Sequence, residues 1–305
     1  MSVARRAGYR LLGARFDYLL HLRPAEWPIV AAHTALGYLL AVGPGGALAG
    51  DHWRAAALGI VLWVVCLNGG TLALNSAFDR DEGDIAYLRR PPPPPRGLAV
   101  ASLALMLAGL AAAFALPPAY RLAYSACVVM SLLYSVPPVR LKAVAGADWV
   151  INMLGFGTLT PYAGWAATGL PLEPAPALAL VAFCPLFAAL YPLTQIYQLE
   201  EDTRRGDRTL ATVLGAHNSL NAAAAALVVA FVLFGVAGVL AGWGQGARIW
   251  RWPALTLAFA TWLAVLLPWR QHAADYAPAD HQRGMYRALV AWAITDVVVL
   301  LTFGT

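Results

Sequence analysis

Acidic side chains are concentrated in two short segments of an otherwise apolar chain. Half of the sixteen carboxylates lie in these segments, and they are Asp79, Asp81, Glu82, Asp84, Glu200, Glu201, Asp202 and Asp207. Carboxylate oxygens are the ligands that Mg²⁺ prefers, and protein-bound Mg²⁺ commonly bridges to the phosphates of a substrate. The pattern therefore predicts a Mg²⁺ site that receives a phosphorylated substrate.

Basic residues follow both acidic segments and also occupy a third loop. These cations are Arg89, Arg90 and Arg96 after the first segment, Arg204, Arg205 and Arg208 after the second, and Arg140 and Lys142 in the third loop. Guanidinium and ammonium groups bind phosphate oxygens, so acid, metal, phosphate and base form a coherent set. The alternative is that these are solvated loop charges. Two acidic loops favour a binding site, because each follows a helix with a polar face.

Polar residues recur every three or four positions ahead of each acidic segment. In the first helix they are Asn68, Thr71, Asn75 and Asp79, and in the second they are Tyr191, Gln195, Gln198 and Asp202. This spacing places each set on one helical face. Polar side chains at membrane depth usually face the interior of a helix bundle or a wet cavity. We therefore expect both faces to line one central cavity with an acidic rim.

The elements that position these residues are predicted to be membrane-spanning helices. Of the 305 residues, 60% are hydrophobic and only 12% are charged. A run of about 20 apolar residues is enough for one crossing. Nine spans are predicted, at residues 25–43, 54–77, 97–116, 119–136, 147–168, 176–198, 217–243, 252–269 and 284–303. Because the runs are continuous rather than alternating, the sequence predicts an all-α polytopic membrane protein.

Basic residues are distributed unequally between the two sides of the predicted bundle. Most lie in the basic N-terminal segment 1–24 and in the loops after the second, fourth, sixth and eighth spans. The remaining loops carry only Arg54, Arg121, Arg248 and Arg251. Because cytoplasmic loops carry the excess of Arg and Lys, we expect a cytoplasmic N-terminus, an external C-terminus and a cavity that opens to the cytoplasm. We expect residues 1–305 to form one domain in the cell (inner) membrane, without a nucleic-acid partner.

Four stretches have the form of known family motifs. They are "NSAFDRDEGDIAYLRRPP" at 75–92, "YQLEEDTRRGDRTLATVLG" at 197–215, "YSVPPVRLK" at 134–142 and "LRPAEWP" at 22–28. In their order and in their position relative to the predicted helices, these stretches resemble the UbiA superfamily of intramembrane prenyltransferases. Each motif alone is weak, whereas three motifs on the corresponding loops are specific.

The resemblance implies nine transmembrane helices around a central cavity and a Mg²⁺-dependent prenyl transfer. Two Mg²⁺ ions would hold the diphosphate of a prenyl donor, and the C1–O bond would ionise to an allylic cation in an apolar chamber. An aromatic or quinone-type, lipophilic acceptor would then attack that cation within the lipid bilayer. The implied partners are therefore a prenyl diphosphate, such an acceptor and the bilayer.

The resemblance also assigns roles to individual residues. The residues expected to be catalytic are Asp79, Asp202, Lys142 and Arg140. Those expected to bind substrate are Asn75, Arg89, Arg90, Tyr134, Asn152, Tyr191, Gln195, Gln198 and Arg204. The expected metal ligands are Asn75, Asp79, Asp81, Asp84, Gln198, Glu201 and Asp202. The isoprenoid tail is placed among Trp149, Met153, Phe156 and Phe187.

Two departures from the family pattern leave alternatives open. Gly83 stands where the first motif usually has its second Asp, and Gln198 replaces the first Asp of the second motif. The altered spacing motivates a terpene cyclase as the alternative reaction. A transporter is a third hypothesis, although transporters usually bind near the midplane of the membrane, whereas these acids lie at one face.

Polar residues inside other spans have less specific interpretations. His33 is interpreted as a packed core histidine rather than a base that positions the acceptor, and Asp296 as a paired or protonated carboxyl because a charge at that depth is costly. Asp148 and Asn152 start the fifth span, where cavity lining and helix capping are both compatible with their spacing.

Overall fold

The structure is a computed structural model that describes residues 3–79, 85, 88, 90–206 and 208–304. Its first two helices, α1 (Val3–Leu12) and α2 (Phe16–His21), form the basic N-terminal segment. This segment lies against the proline-rich stretch 91–95, because the Tyr18 hydroxyl donates to the Arg96 carbonyl at 2.6 Å and a His21 ring nitrogen lies 3.1 Å from the Pro92 carbonyl. The proline run is therefore tied to the N-terminal helices.

The rest of the described chain forms a bundle of helices joined by short loops. They are α3 (Trp27–Val42), α4 (His52–Asp79), α5 (Leu98–Ala115), α6 (Pro118–Ser135), α7 (147–166), α8 (Pro174–Gln198), α9 (Leu199–Arg205), α10 (Leu210–Leu240), α11 (Gly246–Gln271) and α12 (Pro278–Phe303). Among the described residues, six helices are long and apolar enough to cross a membrane, namely α4, α5, α8, α10, α11 and α12. The predicted all-α architecture is confirmed.

Two helices differ at their starts from the predicted spans 217–243 and 284–303. The α10 helix is broken at Gly215, whose φ of 73° is not helical. Its long segment therefore begins close to the predicted residue 217, and a short turn capped by the Thr209 side chain precedes the break. The α12 helix begins at Pro278, six residues before the predicted start, since proline suits the first turn of a helix. Polar residues in this first turn concealed the start of α12 from a search for apolar runs.

Two helices contain π-helical segments, which lie at Leu62–Gly69 in α4 and Met153–Leu159 in α7. A π-helical turn holds more residues than an α-helical turn, and such segments are frequent at functional sites. Trp63 and Asn68 in the first segment and Phe156 in the second line the central cavity. The π segments therefore help to shape the cavity wall.

The helices pack as two apolar cores with the central cavity between them. One core is formed mainly by α8, α10, α11 and α12, and the other by α4, α5, α6 and α7, while α3 contributes to both. The α3 and α7 helices approach so closely that a Cβ atom on Gly37 would lie 1.6 Å from the Pro161 carbonyl oxygen. Small residues permit such close contacts between membrane helices, so Gly37 fixes the crossing of α3 over α7.

The outer surface of the bundle is apolar as well as its interior. On α10, for example, Val228, Val229, Val232, Val236 and Leu240 are exposed. A helix that is apolar on all sides is typical of a membrane span. The chain is therefore an integral membrane protein.

Candidate active site

The central cavity has a volume of about 420 Å³ and is lined by side chains from both apolar cores. Much of its polar lining comes from the ends of α4 and α8, from α9 and from the loop after α6, the elements that carry the three motifs. The residues that represent these elements are Asn75, Asp79, Lys142, Gln198 and Asp202. Aromatic side chains from the middle of the helices, including Trp63, Phe156, Phe187 and Trp292, complete the wall. A polar region therefore adjoins an apolar chamber.

Asp79 is the point at which the first and third motifs meet. Its side chain is only 3% exposed, and it accepts hydrogen bonds from Arg140 Nη2 at 3.3 Å and from Lys142 Nζ. Asn75 lies one turn earlier on α4, and its side-chain oxygen is buried without a hydrogen-bond partner among the described residues. A carboxylate, an amide oxygen and two cations are thus concentrated at the end of α4.

The loop after α6 is folded so that its cations reach Asp79. The Arg140 amide donates to the Val136 carbonyl at 3.0 Å, which closes the loop back on the end of the helix. Arg140 has a φ of 36°, in the left-handed region that non-glycine residues rarely adopt. Such backbone conformations concentrate at binding sites, where the surroundings hold them in place.

The second motif reaches the same cavity through a change of helix type. The α8 helix ends in a 3₁₀ turn, Ile196–Gln198. The next helix, α9, carries Asp202, which is 5% exposed. This turn interrupts the single α-helical face that the spacing predicts. All members of both predicted polar faces nevertheless line the cavity: Asn68, Thr71, Asn75, Asp79, Tyr191, Gln195, Gln198 and Asp202.

Asp148 is a buried anchor that joins three helices beside the cavity. Its carboxylate accepts hydrogen bonds from the Gly146 amide at 2.9 Å, Gln195 Nε2 at 3.1 Å and the Leu210 amide at 3.3 Å. These bonds cap α7 and connect it to α8 and to the start of α10. Of the two interpretations left open by the sequence, the structure supports capping for Asp148. Asn152, one turn later, lines the cavity.

The remaining predicted site residues fall into three groups. The hydroxyl groups of Tyr134 and Tyr191 lie 3.2 Å apart, and both side chains line the cavity. In the described part of the chain, the lining does not include the exposed side chains of Arg90 and Arg204. Outside the described residues lie Asp81, Asp84, Arg89 and the side chain of Glu201.

The predicted chamber for the isoprenoid tail is only partly reproduced by the lining. Phe156 and Phe187 line the cavity and stack with ring centroids 5.3 Å apart. Trp149 instead donates its indole N–H to the Ala188 carbonyl at 2.9 Å. Neither Trp149 nor Met153 belongs to the lining in the described part of the chain.

Several lining residues were not assigned to the site from the sequence. Arg23 and Glu26 are buried and line the cavity just before α3, and Arg23 Nη2 lies 3.4 Å from the Ser76 hydroxyl on α4. Their signal was present in the stretch "LRPAEWP", which carries two charges next to an apolar span. His33 and Trp292 also line the cavity, and their sequence positions gave no comparable signal.

The described donors fit a hard divalent cation. Among the described residues, no three His, Cys, Asp or Glu side chains form a cluster. The cavity nevertheless receives one carboxylate from each motif, Asp79 and Asp202, together with the amides of Asn75 and Gln198. All of these groups supply oxygen ligands, and the buried Asn75 oxygen is without a hydrogen-bond partner in the described chain. Oxygen donors of this kind suit Mg²⁺.

Comparisons with known proteins agree with this architecture. Solved structures with a similar fold include a UbiA homolog from Archaeoglobus fulgidus bound to DMAPP and Mg²⁺, with 20% identity over 93% of this chain and 99% of that chain and a TM-score of 0.63. A digeranylgeranylglyceryl phosphate synthase has 15% identity over 94% and 97% of the two chains and a TM-score of 0.68. A UbiA homolog from Aeropyrum pernix K1 has 19% identity over 91% and 98% and a TM-score of 0.61.

Among curated protein sequences, none matches the chain. The model of the UbiA prenyltransferase family matches residues 30–290. That range contains α4 with Asp79, the loop with Lys142 and α9 with Asp202, which are the elements that build the polar region of the cavity. The chain therefore belongs to the UbiA prenyltransferase family.

Proposed function

We propose that the protein transfers a prenyl group from a prenyl diphosphate to an aromatic or quinone-type acceptor in a Mg²⁺-dependent reaction. The observation that carries this proposal is the pairing of Asp79 with Lys142 and Arg140 beside a cavity that Asp79, Lys142 and Asp202 line. The UbiA homologs solved with DMAPP or GPP and Mg²⁺ support the same donor chemistry for this fold.

The polar region supplies what a diphosphate needs. Asn75, Asp79, Gln198 and Asp202 would hold Mg²⁺, and Asp81, Asp84 and Glu201 would complete a site for two ions. Bound there, Mg²⁺ would neutralise the diphosphate and so weaken its bond to C1 of the prenyl group. Lys142 and Arg140 would bind the diphosphate oxygens as negative charge develops on them. Tyr134, Tyr191 and Asn152 add hydrogen-bonding groups to the same wall.

The apolar chamber suits the allylic cation and the prenyl chain. Phe156, Phe187, Trp63 and Trp292 line the cavity and would keep away water, which would otherwise capture the cation. Aromatic faces also attract cations. The donor would thus lie with its diphosphate among the charged residues at the helix ends and its chain among these rings.

The purified protein tests this proposal directly. With Mg²⁺, we expect it to convert prenyl diphosphates of graded length and phenolic or quinol acceptors into prenylated products and diphosphate, detected by mass spectrometry. Asp79→Asn and Asp202→Asn should each lower kcat/KM by roughly 100-fold or more, and removal of Mg²⁺ by a chelator should stop turnover. The matched control is Asp275→Asn, which changes an exposed aspartate outside the cavity lining.

The same assay separates the alternatives. A cyclic hydrocarbon formed from the donor alone would establish a terpene cyclase, the reaction suggested by Gly83 in the first motif. Metal-independent uptake of a solute that Asp79→Asn leaves unchanged would support a transporter. Near-normal prenyl transfer by both motif variants would contradict the assignment of the metal site.

A further inference from the structure

A buried histidine and a largely buried aspartate form a pair inside the bundle, separate from the three motifs. His33 lies on α3 and Asp296 on α12, and His33 Nδ1 lies 3.2 Å and 3.3 Å from the two carboxylate oxygens. The two side chains are 5% and 18% exposed. A carboxylate at such a depth is costly unless it is paired, so the contact with His33 lowers the cost of Asp296.

The opposite edge of the imidazole ring has a different environment. His33 lines the central cavity, and its Nε2 atom is buried without a hydrogen-bond partner among the described residues. The ring is held by edge contacts with Phe183 at 4.9 Å and Trp292 at 5.0 Å between centroids. A buried polar atom without a partner costs free energy. A histidine that served only to neutralise Asp296 would not account for an unpaired nitrogen at a substrate cavity.

The hydrogen-bonding pattern defines which form of the histidine can act. With its Nδ1–H donating to Asp296, the neutral ring presents Nε2 as an acceptor. If Nε2 takes up a proton, the imidazolium stays paired with the carboxylate, which stabilises it in an apolar environment. This arrangement of base and orienting carboxylate is the one used for proton transfer at many active sites.

We propose that His33 Nε2 binds the hydroxyl group of a phenol or quinol acceptor and takes its proton during prenyl transfer, while Asp296 orients the ring. This inference rests on the proposed function and adds the acceptor half of the site. An aromatic alcohol fits because Trp63, Phe187 and Trp292 line the same cavity. It also supplies the proton donor that Nε2 lacks.

The step balances in atoms and electrons. The C1–O bond of the donor breaks and its electron pair leaves with the diphosphate. A ring carbon of the acceptor forms the new bond to C1, while the hydroxyl proton passes to His33 Nε2. When the acceptor ring regains its aromaticity, the hydroxyl takes the proton back from Nε2 and the proton on the substituted carbon leaves to the diphosphate. The products are the prenylated acceptor and protonated diphosphate.

The test compares acceptor chemistry with donor binding in the full-length protein. The probes are geranyl diphosphate and a panel of phenols and hydroquinones, with Mg²⁺ present throughout. His33→Ala should lower kcat for product formation by roughly 100-fold, with the KM of geranyl diphosphate changed by less than about twofold. Added imidazole should raise the kcat of the His33→Ala protein by about tenfold, because it replaces the lost base.

Asp296 is proposed to act by orienting the His33 ring, so the Asp296→Asn variant is measured separately. It should lower kcat and leave the KM of the donor unchanged, whereas a loss of overall structure would change both. His33→Asn provides a smaller change that retains an N–H for Asp296, in case His33→Ala fails to fold. Thr34→Val is the matched control, since Thr34 is buried on the same helix but its hydroxyl donates to the Val30 carbonyl at 2.8 Å. It should behave as the wild type.

Specific outcomes overturn the proposal. If a folded His33 variant formed product at a rate within about threefold of the wild type, His33 would not be the base. Equal turnover of an acceptor and its O-methyl ether would show that the hydroxyl proton is not required. If the wild-type protein converts none of the panel, the proposed function fails together with this acceptor class. That result differs from an active wild type that is insensitive to changes at His33.

Discussion

At the scale of single residues, the ion pairs of Asp79 bear on the proposed donor site. The nearly buried Asp79 carboxylate is paired with Lys142 and Arg140 in the structure. Under the proposed function, a diphosphate would compete with Asp79 for these cations, while Mg²⁺ would compete with them for the carboxylate. Such an exchange of partners would leave no buried charge uncompensated.

This competition predicts a strong effect at Lys142. Lys142→Gln removes a cation that is 16% exposed, so we expect the KM of geranyl diphosphate to rise and kcat/KM to fall by roughly 100-fold. Lys142→Arg should recover part of the loss because it keeps the charge. Steady-state kinetics with saturating Mg²⁺ measure both quantities.

The control for Lys142 is Arg54→Gln. Arg54 is a cation whose side chain is 72% exposed and lies outside the lining of the described cavity. Its substitution should leave kcat/KM unchanged. A Lys142→Gln variant with kcat/KM within about twofold of the wild type would show that Lys142 makes no contact with the donor.

The placement of Asp79, Asp202 and Lys142 at one cavity was predictable from the sequence, whereas the pair of His33 and Asp296 was not. Acids and bases within one motif can be recognised from their spacing. His33 and Asp296 are separated by 263 positions, and each alone has an ordinary structural explanation. Only the packing of α3 against α12 brings them together, and that packing depends on many apolar contacts without a local sequence signal.

At the scale of helices, composition predicted where helices lie but not their internal geometry. The predicted span 54–77 falls within α4, yet its middle is π-helical at Leu62–Gly69. Likewise, α8 ends in the 3₁₀ turn Ile196–Gln198. π-helical and 3₁₀ segments differ from an α-helix in the number of residues per turn but not in composition. The apolar run alone therefore does not predict where they occur.

The junction of α7, α8 and α10 predicts a structural role for Asp148. Asp148→Ala leaves three hydrogen-bond donors without their acceptor, at Gly146, Gln195 and Leu210. Because unsatisfied buried donors cost about 1–3 kcal/mol each, we expect a destabilisation on the order of 3 kcal/mol or more. That corresponds to a fall in the unfolding temperature of roughly 5 °C or more.

Thermal unfolding in detergent measures this loss. Asp148→Asn keeps one carbonyl acceptor and should have an intermediate unfolding temperature. The control is Asp51→Ala, because the Asp51 side chain is 91% exposed and its removal should change stability little. An Asp148→Ala protein as stable as Asp51→Ala would contradict the anchoring role.

At the scale of the whole molecule, two apolar cores enclose a cavity whose lining includes Asp79 at the end of α4, Lys142 in the loop after α6 and Asp202 on α9. If the chain crosses the bilayer nine times, these elements all meet at one membrane face. That face would be cytoplasmic, because the loops on this side carry the excess of Arg and Lys. A charged donor would then enter from the cytoplasm, while a lipophilic acceptor would reach the apolar chamber from within the bilayer.

Cysteine labelling tests this orientation. After Cys66, Cys127 and Cys184 are replaced by alanine, a single cysteine is introduced by Ala49→Cys or by Ala274→Cys, both at exposed loop positions. Nine crossings with a cytoplasmic N-terminus place residue 49 outside and residue 274 inside. A membrane-impermeant maleimide should therefore label the Ala49→Cys protein in intact cells and the Ala274→Cys protein only after permeabilisation. The reverse pattern would show that the bundle has the opposite orientation in the membrane. Labelling of both variants in intact cells would require an even number of crossings between the two positions. Either result would contradict the entry of the donor from the cytoplasm.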